Sequence, residues 1–163
     1  MMQPKESENV ATLLNHAQHL CQQQGKKLTP IRAQVLRLLI QAEQPQSAYE
    51  LLDQYKNSTD SGTQPMTIYR ALDFLESMHL IHKLSSTRQY VACHDQHNHP
   101  DDSQHEHLTQ FFLCDQCGQS EEIPLPKNVF KSIQASASHH KFKINQPNLE
   151  IHGLCHHCQH ATQ

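Results

Sequence analysis

The 163-residue sequence predicts an α+β protein built in two halves, and three observations carry that prediction. Apolar residues recur at helical spacing, between capping residues, from about residue 8 to residue 78. Short β-favouring stretches follow, on both sides of a polar, histidine-rich segment at 94–107. Two Cys-x-x-Cys pairs, at 114/117 and 155/158, then bracket the second half.

Leu13, Leu14, Ala17, Leu20 and Cys21 share one face and place a first helix at about 8–24, ended near Gly25. Cys21 reads as a packed or idle thiol. Thr29-Pro30 supplies an N-cap and a proline at the first helical position, and Ile31, Val35, Leu38 and Leu39 form the stripe of a second helix over about 30–42. Ser47-Ala48-Tyr49-Glu50 has the capping-box pattern, with Ser47 able to accept from the backbone and Glu50 to reach back; it opens a short helix over about 47–55. Residues 56–65, rich in Ser, Thr, Gly and Pro, make a loop. A fourth helix, about 66–78, has Ile68, Leu72 and Leu75 on one face and Thr67, Tyr69, Arg70 and Asp73 elsewhere.

LIHKL and RQYVAC, separated by Ser85-Ser86-Thr87, read as a hairpin. Helices followed by such a hairpin make a winged helix-turn-helix, whose second helix enters the major groove with its first turns against base edges. Arg70 is suited to a bidentate pair with guanine, and Tyr69 to a thymine methyl or a phosphate. The plain alternative has Tyr69 covering a core edge and Arg70 solvated.

In the second half, strands are expected at 108–113 and 119–123, a helix at about 126–140 and a final strand at 142–152. Eleven of the 15 histidines and five of the six cysteines lie after residue 90, so nitrogen and sulfur ligands are concentrated there. Net charge is −3, divided as +1 over residues 1–90 and −4 over 91–163, which predicts local rather than global steering of a polyanion, through Lys26, Lys27, Arg32 and Lys83. No apolar run approaches the roughly 20 residues that cross a bilayer, and no basic region leads into an apolar leader at the N-terminus. The expectation is a cytoplasmic chain with no membrane partner, where paired cysteines are more often metal ligands or redox centres than disulfides.

Cys114, Cys117, Cys155 and Cys158 form two knuckles whose four thiolates suit one tetrahedral Zn²⁺ ion. Four unrelated reduced cysteines, or a thiol redox centre, are the alternatives. His82, Cys93, His107 and Glu122 are left over; together they are able to make a mixed tetrahedral site between the halves, while a lone histidine on a strand is ordinarily a surface residue.

LTPIRAQVL, SAYELL, TIYRALDFLESMHLIHK, Cys114-x-x-Cys117-Gly118 and the late Cys155-x-x-Cys158, in this order over about residues 10–160, resemble the ferric uptake regulator (Fur) family. His82-Lys83, Cys93-His94 and the long gap from His107 to Cys114 resemble its zinc-sensing branch. The resemblance implies a homodimeric, zinc-loaded repressor that binds double-stranded operator DNA in front of zinc-import genes and is not an enzyme. It implies a winged-helix DNA-binding domain over 1–93, a histidine-rich hinge over 94–107 and a dimerisation and metal-binding domain over 108–163. Two zinc ions per chain follow: a structural one on Cys114, Cys117, Cys155 and Cys158, and a regulatory one on His82, Cys93, His107 and Glu122. Its DNA-contacting positions fall on Tyr49, Tyr69 and Arg70, beside Thr67 on the same helix. The segment His97–Glu106 is longer and richer in histidine than the branch leads one to expect, leaving His97, His99 or His105 as substitutes for His107. An iron-responsive regulator is the nearest rival, and a zinc enzyme or thiol-disulfide oxidoreductase the rival of another class.

Overall fold

The protein is described by a computed structural model that covers residues 4–59, 62–93, 108–145 and 148–160. Two compact units divide the chain, residues 1–98 and 99–163. The expected hinge at 94–107, with His94, His97, His99, His105 and His107, lies outside the described residues.

The first unit runs α1 (Pro4–Gln23), α2 (Pro30–Gln41), β1 (Gln46–Ser47), α3 (Ala48–Ser58), α4 (Pro65–Ser77), β2 (Ile81–Leu84) and β3 (Gln89–Ala92). Helix α1 starts four residues before its expected beginning, over a Lys- and Glu-bearing turn that has no apolar periodicity to betray it. It ends in a Schellman closure: Lys26 N–H donates to Cys21 O at 2.8 Å and Gly25 N–H to Gln22 O at 3.0 Å. Gly25 sits there at φ +65°, where a Cβ would be strained. Helix α4 closes the same way, through Leu80 N–H to Leu75 O and His79 N–H to Glu76 O, but with His79 in the left-handed position. Buried Leu80 supplies the apolar contact that holds this turn.

Thr29 occupies the N-cap of α2 as expected, yet its side chain makes no capping bond. The capping box of α3 is complete. Glu50 N–H donates to Ser47 Oγ at 3.3 Å, and Ser47 N–H donates to the Glu50 carboxylate at 2.6 Å. Helix α3 continues to Ser58, three residues beyond expectation, and carries Tyr55 into the core. Val35, Leu36, Leu51, Ile68, Leu72, Leu75 and Leu80 are fully enclosed in one apolar cluster that Ala17 and Cys21 close from α1. Each large aliphatic group so buried contributes roughly 1.5–3 kcal/mol. Burial also pushes the Cys21 thiol above its ordinary range, which suits a packing role. Strands β2 and β3 pair antiparallel, Ile81 opposite Ala92 through Leu84 opposite Gln89, and form the wing. The two-residue β1, which the sequence did not announce, pairs with β3 and gives the sheet order β1-β3-β2.

The second unit contains β4 (Thr109–Cys114), β5 (Ser120–Pro124), α5 (Lys127–His139), β6 (Leu149–Gly153) and α6 (His156–His160). Strand β4 is central, antiparallel to β5 and parallel to β6. The expected strand over 142–152 is only its second half, Leu149–Gly153. Its first residue, Phe142, is used instead to close α5, donating to Ala137 O at 2.8 Å with Lys141 at φ +55°. Helix α6 was not expected. One face of the sheet holds Phe111 and Leu113, both buried; the other exposes Phe112 and Ile151, which sit side by side in register.

Candidate functional site

Strand β4 delivers Cys114 at its end, and Asp115–Cys117 turn back to start β5. Cys114 N–H donates to Gln119 O at 2.9 Å and Gly118 N–H to Cys114 O at 3.0 Å, with Gly118 at φ +74°. Asp115 N–H donates to Gly153 O at 2.8 Å, so the first knuckle is bonded to the end of β6, immediately before the second. The ligand atoms of Cys114, Cys117, Cys155 and Cys158 consequently lie within 4.8 Å of one another. None of the four is in a disulfide. Sulfurs bound at about 2.3 Å to one tetrahedral ion stand about 3.8 Å apart. Cys117 Sγ and Cys155 Sγ are 3.8 Å apart, which matches that spacing for this pair.

The electrostatics prepare the same site. Cys155 N–H donates to Cys114 Sγ at 3.3 Å; this bond first, then the N–H groups of Cys117 and Gln116, lower the Cys114 thiol to about 6. Cys158 is pushed up to about 12, by burial first and then by the neighbouring sulfurs. One thiolate is thus ready at neutral pH, while Cys158 is protonated there and would release its proton to solvent on binding a metal. The pair His152–Asp115, Nδ1 to Oδ1 at 2.8 Å, links β6 to the first knuckle and has no signature in the sequence.

In the first unit, His82 lies at the middle of β2 opposite Val91, half-buried, with its Nε2 enclosed. Cys93 follows β3 directly and is buried, its N–H donating to Leu80 O at 3.0 Å. Their ligand atoms lie within 4.8 Å of each other, so the wing brings together one imidazole and one thiol. In the second unit, Glu122 is half-buried on β5 opposite Phe111. His107 is outside the described residues.

Among the described residues, the exposed large apolar and aromatic side chains of the first unit fall at the starts of two helices: Tyr49 on α3, 75 % exposed, and Met66 and Tyr69 on α4. Thr67 and exposed Arg70 stand beside them. Met66 was not among the residues singled out from the sequence, because a methionine at a helix start carries no polar signal. Arg32 also has a structural contact. Its guanidinium donates to Lys27 O at 2.7 Å and lies 3.4 Å above the Phe74 ring, so it braces the α1–α2 connection against α4.

The ferric uptake regulator family model matches residues 23–152. The chain belongs to the ferric uptake regulator family. It is 36% identical to the zinc uptake regulation protein of Escherichia coli (strain K12) over 155 residues, 94% of this chain and 85% of that one. Among solved structures, a zinc uptake regulator complexed with zinc and DNA is 35% identical, with a TM-score of 0.82 over 93% of this chain and 96% of the other. The crystal structure of holo XcZur is 38% identical, with a TM-score of 0.77 over 91% and 97%. The Fur-family fold, a winged helix-turn-helix unit followed by a small α+β unit, is therefore the fold of this chain. No helix among its described residues is long and apolar enough to cross a membrane.

Proposed function

We propose that this member of the family is a zinc-responsive transcriptional repressor that binds operator DNA as a homodimer and controls zinc-uptake genes in the cytoplasm. The observation that carries this reading is the four-sulfur cluster of the second unit, in a chain with 36% identity to a zinc uptake regulation protein. Cys114, Cys117, Cys155 and Cys158 hold a structural zinc ion that joins the two knuckles. His82 and Cys93 of the wing, with His107 and Glu122, are the ligands of a second, regulatory ion. A thiolate in that set favours zinc over iron(II) or manganese, which prefer imidazole and carboxylate. Bound there, zinc supplies binding energy only to the conformer in which all four ligands converge, and so shifts the population toward it.

Phe112, Val129, Phe142, Ile151 and Leu154 of the second unit are exposed apolar side chains that suit pairing with a second copy. Two winged-helix units in such a dimer meet half-sites about one helical turn apart. Helix α4 enters the major groove: Arg70 reads a base, Tyr69 and Met66 supply apolar contact, and Tyr49 and Thr67 meet the backbone.

Zinc-titrated operator binding tests the reading in two variants. Cys93→Ser should remain a folded dimer, retain its structural zinc, and no longer tighten on operator DNA when zinc is added. Arg70→Ala should cost on the order of 1–3 kcal/mol of operator affinity and relax specificity at one position, with zinc content unchanged. Wild-type zinc dependence in Cys93→Ser would remove the regulatory assignment.

A further inference from the structure

Helix α6 carries a constellation that the four-sulfur site does not use. Gln159 N–H donates to Cys155 O at 3.0 Å, and Gln159 Nε2 to Leu154 O at 2.7 Å, so this single turn is built directly on the second knuckle. Along it stand His156, His157 and His160, all exposed. His156 and His160 are four residues apart, the spacing that places side chains over one another on one helix face. Their rings are edge to face, with centroids 4.6 Å apart. Two imidazoles at this spacing on a helix are the geometry with which helical metal sites grip one ion.

We propose that His156 and His160 form an additional, solvent-facing chelate for a late first-row divalent metal ion that imidazole binds well: zinc, nickel or copper. With two protein ligands and the remaining positions filled by water, the site is weaker than the four-sulfur cluster and exchanges its ion faster. Its occupancy ties the two ends of α6 together. Because α6 begins between Cys155 and Cys158, that tie also holds the second knuckle in the shape the sulfur site uses. The proposal is independent of DNA binding and of the regulatory ligand set.

The test uses the full chain with its sulfur site loaded with zinc and its histidine rings isotope-labelled. Nickel(II) is added while each ring is followed by NMR, which separates these histidines from the others in the chain. The rings of His156 and His160 should broaden together, at one nickel concentration, and recover when excess zinc is added. In His160→Gln, His156 should lose its broadening at that concentration, with bound zinc and far-ultraviolet circular dichroism unchanged. His156→Gln should do the same to His160, whereas His157→Gln and His152→Gln should leave the pair's response intact. Broadening of His156 that persists in His160→Gln overturns the chelate. So does a response abolished by His157→Gln but not by His156→Gln.

Discussion

The first unit closes Val35, Leu36, Leu51, Ile68, Leu72 and Leu75 into one apolar cluster contributed by four helices and the start of the wing. The second has a three-stranded sheet with one apolar face outward, and a thirteen-residue helix, α5, that buries only Phe130. Two of its most buried side chains, Cys114 and Cys158, belong to the four-sulfur cluster rather than to a hydrocarbon core. Small cores of this kind gain their remaining stability from a bound metal or from association. The two units thus reach order by different means, and removing each means in turn should separate them.

The largest effect should come from the sulfur site. Cys155→Ser removes one sulfur of the cluster and also disturbs the turn that starts α6, at a cost on the order of several kcal/mol if zinc is held there. Zinc content should fall by one ion per chain, and dimers should dissociate on sedimentation. Far-ultraviolet circular dichroism should still show the helices of the first unit melting cooperatively. Simultaneous loss of both units would mean that the first depends on the second. The same site fixes the sign of a pH effect. Protons compete with metal for the sulfurs, so zinc affinity falls as pH falls through the neutral range, and below the Cys114 value of about 6 one further proton joins the competition. Zinc uptake at neutral pH should release protons, chiefly from thiols such as Cys158, which a pH-stat measures directly.

Next in size is the apolar core. Leu36 on α2 is fully buried, and Leu36→Ala should destabilise the first unit by about 2–5 kcal/mol. Equilibrium unfolding should show an earlier transition for that unit, while zinc stoichiometry and dimer mass stay at wild-type values. A loss of the zinc held by the four-sulfur cluster in this variant would erase the distinction between the units.

How far each unit was legible follows the same division. Helices α2, α3 and α4 were readable because Pro30, Ser47 with Glu50, and the 68/72/75 stripe are local signals that tertiary packing reinforces. The two Cys-x-x-Cys pairs were readable because metal chemistry needs that spacing whatever the surrounding fold. Strand β1 was not, since two residues, Gln46 and Ser47, become a strand only by pairing with Gln89 and Tyr90 far along the chain. Helix α6 was not, because a five-residue turn has no periodicity to show it. The region after α5 misled for a physical reason: Phe142 looks like the start of a strand, yet its N–H is taken by Ala137 O. The lone imidazole and thiol at 82 and 93 were visible as leftovers, and their convergence on the wing comes from the β2–β3 pairing.

The smallest effect, and the sharpest local one, belongs to Ser47. Its side chain accepts from Glu50 N–H, its own N–H is taken by the Glu50 carboxylate, and its backbone ends β1 opposite Gln89. Ser47→Ala deletes the first of these bonds and leaves the strand pairing in place, so the expected loss is about 1 kcal/mol. That loss falls at the first turn of α3, where Tyr49 is exposed. Hydrogen exchange should therefore quicken at the amides of Tyr49, Glu50 and Leu51 before any change reaches α4. Zinc content and the melting of the second unit should not move. Operator affinity should drop slightly if Tyr49 touches DNA, and adding Tyr49→Ala should then cost less in the Ser47→Ala background than in wild type. Equal penalties in both backgrounds would mean that the cap stabilises the helix without positioning the tyrosine.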